Sequence, residues 1–134
     1  METSTVFWDH ENCTVPKGYH GYDIVKKIND FLSNKNVQLT NIFAIGNTSG
    51  LAAKVKFELE ESGVIVQNAS NGKESAADIS LILEVMKNIY YHKPPHTIVL
   101  ISGDRDFLKM INFLTSSKYT VILIHSKNVA YSSA

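Results

Sequence analysis

Cysteine is nearly absent from this chain. Cys13 stands alone, which excludes an intrachain disulfide and fits a reducing compartment. Arginine is just as scarce: Arg105 is the only one among 13 basic residues, so bidentate clamps on phosphate must be few. No apolar run approaches the roughly 18 residues of a membrane span, and residues 1–5 are polar. Neither a membrane partner nor a secretory signal is therefore expected, and the chain reads as intracellular, cytoplasmic or nuclear. An excess of charge is missing too, since 13 acidic residues balance the 13 basic ones. That argues against strong nonspecific attraction to nucleic acid or membrane while leaving room for a local basic strip. Repeats, low-complexity tracts and linker-like stretches are also lacking.

What remains is an ordinary globular composition, 44% hydrophobic and 19% charged over 134 residues. Residues 1–134 read as one domain, large enough to bury roughly two-thirds of the surface its unfolded chain exposes. Thr5 to Asp9 is a short run of β-formers ending on an acid, followed by a loop with Pro16, Gly18 and Gly21. Ile24, Val25, Ile28, Phe31 and Leu32 form a helical stripe, and Leu39 to Ile45 a second strand. Leu51, Val55 and Leu59 mark the next helix, with Phe57 off its stripe, and Val64 to Val66 a third strand. A polar loop containing Lys73 leads into a helix from Ala76 through Ile89, stopped by Pro94-Pro95. Strands at 97–101 and 119–125 flank a helix with Phe107, Leu108, Ile111 and Leu114 at helical spacing, and residues 126–134 read as the start of one more. Strands alternating with helices at this spacing predict an α/β fold, a parallel sheet covered on both faces.

The chain is organised around Ile98-Val-Leu-Ile-Ser-Gly-Asp104-Arg-Asp106. An apolar strand buried on both faces stops at Ser102-Gly103, and two carboxylates follow as the helical period begins. Ser and Asp are common helix caps, so this stretch alone decides nothing. Yet Asp9 also ends an apolar strand, and Asp78 opens the helix after the third. Ligands of open parallel sheets bind outside the carboxyl ends of the strands, and if strands one and four are neighbours these four acids meet in one crevice. Carboxylates so crowded repel one another unless a cation joins them. Asp9 and Asp104 are the principal candidate metal ligands, with Asp78 and Asp106 beside them.

Phe7-Trp8-Asp9-His10-Glu11-Asn12-Cys13-Thr14-Val15-Pro16 resembles the opening Asp-x-x-Asn motif of NYN domains in the PIN-like nuclease superfamily, in particular the limkain/meiosis-arrest-type branch. Ala77-Asp78, Ser102-Gly-Asp-Arg-Asp-Phe107 and Val121-Ile-Leu-Ile-His125 are similar to its later motifs and last strand, so the resemblance spans nearly the whole chain. It implies a three-layer α/β/α PIN-like fold with five parallel strands in the order 3-2-1-4-5. It implies a metal-dependent endoribonuclease acting on single-stranded RNA with Mg²⁺ or Mn²⁺, and Asp9, Asn12, Asp78, Asp104 and Asp106 as catalytic positions. His10 departs from the family pattern, where an apolar or small residue is expected. Lys73, Lys17 and Arg105 are the candidate contacts to RNA phosphates. A homodimer, and further RNA-binding domains in a longer parent chain, are compatible with this reading.

Lesser signals yield less. The histidines lack ligand spacing, and Cys13 has no His beside it in sequence to activate a nucleophile. Tyr19 and Tyr22 in the first loop are candidate stacking surfaces for bases, although loop tyrosines often only pack. Gly46-Asn-Thr-Ser-Gly50 lacks the Gly-Lys-Ser/Thr of a phosphate loop and follows the second strand, which argues against nucleotide binding. The alternatives are an RNA-binding module that grips without cutting and, ranked last, an aspartyl-nucleophile phosphatase. The latter needs Asp-x-Asp on the first strand, where position 11 is Glu.

Overall fold

The computed structural model describes residues 1–69 and 76–125. Strand β1 (Glu2–Asp9) is followed by α1 (Gly21–Asn34), β2 (Val37–Gly46), a single 3₁₀ turn (Thr48–Gly50), α2 (Ala53–Glu61) and β3 (Ile65–Asn68). Then come α3 (Ala76–Tyr91), β4 (Thr97–Ile101), a second 3₁₀ turn (Arg105–Phe107), α4 (Leu108–Ser116) and β5 (Thr120–Ile124). The five strands pair in the order β3-β2-β1-β4-β5, and every pair is parallel. β1 and β4 are neighbours, so the chain reverses its winding between them.

Strand alternation divides the core in two. Val6 and Trp8 of β1, with Val99 and Ile101 of β4, pack against Ile28 and Leu32 of α1 and Leu59 of α2. Phe7, with Ile98 and Leu100, faces the other way, onto Leu81 and Val85 of α3 and Met110 and Leu114 of α4. Both faces of β1 and β4 are therefore buried, which is why Val6–Trp8 and Ile98–Ile101 are apolar at consecutive positions.

The structure extends β1 beyond its apolar signal and shifts the start of α2. β1 begins at Glu2 because Glu2, Thr3 and Ser4 pair with Val37, Gln38 and Leu39 of β2. Ser4 and Thr5 are buried there although polar, the Ser4 hydroxyl donating to the Gln38 carbonyl at 2.9 Å. α2 starts at Ala53 rather than Leu51, since residues 48–50 spend one turn as 3₁₀ helix. Phe57, off the α2 stripe, is exposed.

The first turn of α1 is tied down from α2. Buried Glu58 accepts the Gly21 N–H at 2.8 Å and meets His20 Nδ1 at 3.1 Å. The Gly21 N–H, foremost, holds the Glu58 carboxyl below its ordinary value. A Cβ on Gly21 would stand 2.8 Å from the Glu58 Cβ and the Leu59 nitrogen, so glycine lets the two helices close. No helix among the described residues is long and apolar enough to cross a membrane. Residues 126–134, with their expected helix, lie outside the described residues, as does Lys73.

Candidate metal centre

The alternation that buries Phe7 beneath α3 also aims Asp9, two residues on, toward the same face. Asp9 is buried at the carboxyl end of the central strand. Its Oδ2 accepts the Ser102 hydroxyl at 2.8 Å and the Asn12 side-chain amide at 2.7 Å, and the Asn12 backbone N–H reaches Oδ1 at 3.4 Å. Ser102 in turn accepts the Asp104 N–H at 3.0 Å, while its own N–H donates to the Ile124 carbonyl. One hydroxyl thus joins the ends of β1 and β4. Asp104 Oδ1 accepts the Asp106 N–H at 2.9 Å, which starts the 3₁₀ turn.

Asp78 enters from the first turn of α3, on the same side of the sheet. One carboxylate oxygen from each of Asp9, Asp78 and Asp104 lies within 4.8 Å of the other two. The Asp78 carboxyl is pushed up to about 6, first by burial, then by the charge and hydrogen bond of Asp104, then by the charges of Asp9 and Asp106. Two neighbours this close compete with Asp78 for a positive charge, which a proton supplies in one way and a cation in another. Oxygen donors alone, all anionic, suit a hard divalent ion such as Mg²⁺ or Mn²⁺. The donor set fits such an ion.

The other predicted positions separate. Asn12 is bonded to Asp9 and lies at the mouth of the site. Asp106 is exposed on the 3₁₀ turn and stands outside the three-carboxylate group, although its charge reaches Asp78. Glu11 turns to the end of β2, where its carboxylate accepts the Asn47 N–H at 3.0 Å. His10, the departure from the family pattern, is buried against the same strand end. A Cβ on Gly46 would stand 2.8 Å from its ring, so the glycine makes room for the imidazole. Lys17 is exposed in the loop after β1, and the Arg105 side chain lies outside the described residues. The residue that sequence reasoning gave no part in the site is Ser102, read as a strand breaker and candidate helix cap within the family motif. Its signal was the Ser-x-Asp spacing, which lets a hydroxyl accept the N–H two residues on.

The NYN domain family model matches residues 3–134. The chain belongs to the NYN family. This NYN domain is similar to meiosis regulator and mRNA stability factor 1 of Xenopus tropicalis, 32% identical over 126 residues, and of Mus musculus, 30% identical over 128. Each alignment covers 93% of the NYN chain but 7% of the relative, so the chain spans a small part of those proteins. Membership of the family places the domain in the PIN-like nuclease superfamily, and the sheet order agrees with that fold.

Proposed function

We propose that this NYN domain is a metal-dependent endoribonuclease that hydrolyses phosphodiester bonds in single-stranded RNA. The observation that carries the reading is the meeting of Asp9, Asp78 and Asp104 within 4.8 Å at the carboxyl edge of the sheet. In this reading those three acids hold Mg²⁺ or Mn²⁺, and Asp106 adds negative charge at the rim. When bound, the ion supplies Lewis-acid polarisation of a phosphoryl oxygen and a lowered pKa for water.

The chain's own residues do the positioning. Ser102 and Asn12 fix both oxygens of Asp9, so the buried ligand keeps one orientation as substrate arrives. The shared Ser102 hydroxyl keeps Asp9 and Asp104 at constant separation. Asn12, neutral and exposed, can donate to a phosphate oxygen without adding charge. Lys17, Lys73 and Arg105 offset the repulsion between the acids and the RNA backbone. No histidine or lysine is needed as base. The RNA target is supported by the relatives, whose name is that of an mRNA stability factor. Those relatives are far longer than the aligned segment, which supports RNA delivery by other domains of a longer parent chain.

The test is incubation of the purified domain with labelled unstructured RNA in Mg²⁺, in Mn²⁺ and in EDTA. Internal cleavage in the metal lanes, abolished by EDTA and by Asp104→Asn, is the expected result. RNA binding with no metal-dependent cleavage would make the domain a binding module instead.

A further inference from the structure

The carboxyl edge of the sheet carries a second feature. On the α1 side, behind the turn that bears Asp9, lies an open cavity of about 540 Å³. Its floor is Trp8, Ile101 and Ile124, residues at the ends of β1, β4 and β5, and its rim includes Pro16, Tyr19 and Lys27. Tyr19 is 40% exposed, and the Lys27 ammonium lies over its ring, 5.1 Å from the centroid. Neighbouring Lys26 is paired with Asp30 at 2.7 Å, whereas no carboxylate lies within ion-pair distance of Lys27 among the described residues.

A single turn separates this cavity from the acids. The Cys13 N–H donates to the Asp9 carbonyl at 3.0 Å, and the Cys13 carbonyl accepts the Trp8 indole N–H at 2.7 Å. Trp8 and Asp9 are adjacent on one strand and point to opposite faces, one into the cavity and one into the acid cluster. The chemistries complement each other. The acid side repels bare phosphate, while the cavity offers an apolar floor, an aromatic face and a cation outside ion-pair distance of any described carboxylate.

Resting on the RNA reading above, we infer that this cavity receives a nucleobase of the strand whose backbone crosses the acid cluster. The base lies over the apolar floor with Tyr19 as its stacking surface, and Lys27 meets a phosphate of the same strand. A purely aliphatic occupant would use the floor but would bring no anion to Lys27. A base linked to a phosphate uses both.

Trp8 is the only tryptophan in the chain, so its emission reports on the cavity floor without labelling. The native domain in EDTA, and Asp104→Asn in Mg²⁺, are titrated with a single-stranded RNA and with an abasic ribose-phosphate strand of equal length, reading Trp8 emission and binding anisotropy. The base-bearing strand should change Trp8 emission saturably and the abasic strand should not. Tyr19→Ala should weaken binding of the base-bearing strand about 5- to 150-fold, the range for one lost base–aromatic stack, and leave the abasic strand unaffected. Lys27→Ala should weaken both. Equal affinity for the two strands, no binding of either, or indifference to Tyr19→Ala would overturn the inference. So would a Trp8 signal that follows protein concentration without RNA, which assigns the cavity to a second copy. So would a Trp8 shift caused simply by removing residues 126–134, which assigns it to the chain's own end. A domain that binds bases here yet cuts no RNA would refute the nuclease and keep the cavity. A domain that cuts RNA with indifferent Tyr19 would do the reverse.

Discussion

At the amino end of β1, the Thr3 and Thr5 hydroxyls engage both ring nitrogens of His96, at 2.8 and 2.9 Å. At its carboxyl end, Asp9 meets two further carboxylates within 4.8 Å. Both ends bury polar atoms in the same strand. At the amino end the hydroxyls supply a donor and an acceptor to a neutral imidazole, which also stacks on His92 with centroids 4.7 Å apart. Every demand is met within the fold, and burial, with the neighbouring His92, keeps the His96 pKa below its ordinary value. At the carboxyl end the hydrogen bonds fix positions but leave a surplus of negative charge. A satisfied polar cluster locks a sheet; an unbalanced one waits for something from outside.

The contrast can be broken most severely at the acid end. Asp104→Asn should lower RNA cleavage by more than about a hundredfold, since even outer-shell changes at metal sites cost 10- to 100-fold. His96→Gln should leave cleavage nearly intact, as gel-resolved single-turnover assays on one RNA would show. Stability should sort the two ends the other way. His96→Ala leaves the buried Thr5 and half-buried Thr3 hydroxyls without that partner beside a cavity and should cost about 2–4 kcal/mol in a urea melt. Asp104→Asn in EDTA should cost little, or stabilise, because it relieves repulsion.

Cation binding gives the next effect. An ion that binds only the folded state stabilises it by mass action, by about 1–3 kcal/mol near saturation. Millimolar Mn²⁺ should therefore raise the native melting temperature by several degrees and that of Asp104→Asn by less. Equal shifts in the two proteins would remove the cluster as the binding site.

Acidity should separate the ends more finely. In EDTA, His96 takes up a proton more readily unfolded than folded, because its folded pKa lies below 6.5. Its share of stability is lost as pH falls below that value, and the loss levels off beneath the folded pKa. Asp78 runs oppositely: its folded pKa of about 6 exceeds 3.8, so the folded chain takes up the proton first. Its repulsion is relieved, and stability gained, as pH falls from about 6 toward 4. Urea midpoints between pH 7 and 4 should decline more steeply in Asp78→Asn than in the native domain, and less steeply in His96→Gln. The smallest effect belongs to the lysines. Lys17→Ala and Lys73→Ala should each weaken RNA binding modestly and make its salt dependence shallower by about 0.7 per lost contact, in titrations at several salt concentrations.

The α/β class and nearly every element were legible, because strands buried on both faces and amphipathic helices leave distinct apolar periods. What periodicity missed were places where polar atoms do the joining. Ser4 and Thr5 hide the early start of β1, and the hydroxyl of Ser102 hides the link between Asp9 and Asp104. The acids were visible as residues at strand ends, but their meeting depends on β1 lying beside β4. That adjacency is a property of strand order, to which hydrophobic spacing is blind. Glu11 and Asp9 look alike in sequence, but β1 ends at Asp9, and the turn that follows carries Glu11 to Asn47 while the strand holds Asp9 in the cluster. His96, the partner of β1's amino end, showed in sequence only as one of two histidines straddling the double proline, a surface or core residue with no sign of which strand it would meet.

The Ser102–Asp9 bond spans 93 positions of the chain. A ribosome working at about 5–20 residues per second makes β1 several seconds before β4 exists to lie beside it. In that interval β1 can pair with β2, but its other edge stays open, and the acids are distributed between chain already made and chain still to come. The early part of that open edge is Thr3, Ser4 and Thr5, polar residues that give a passing strand little apolar surface to adhere to. The hydroxyls that later receive His96 therefore serve the unfinished chain first.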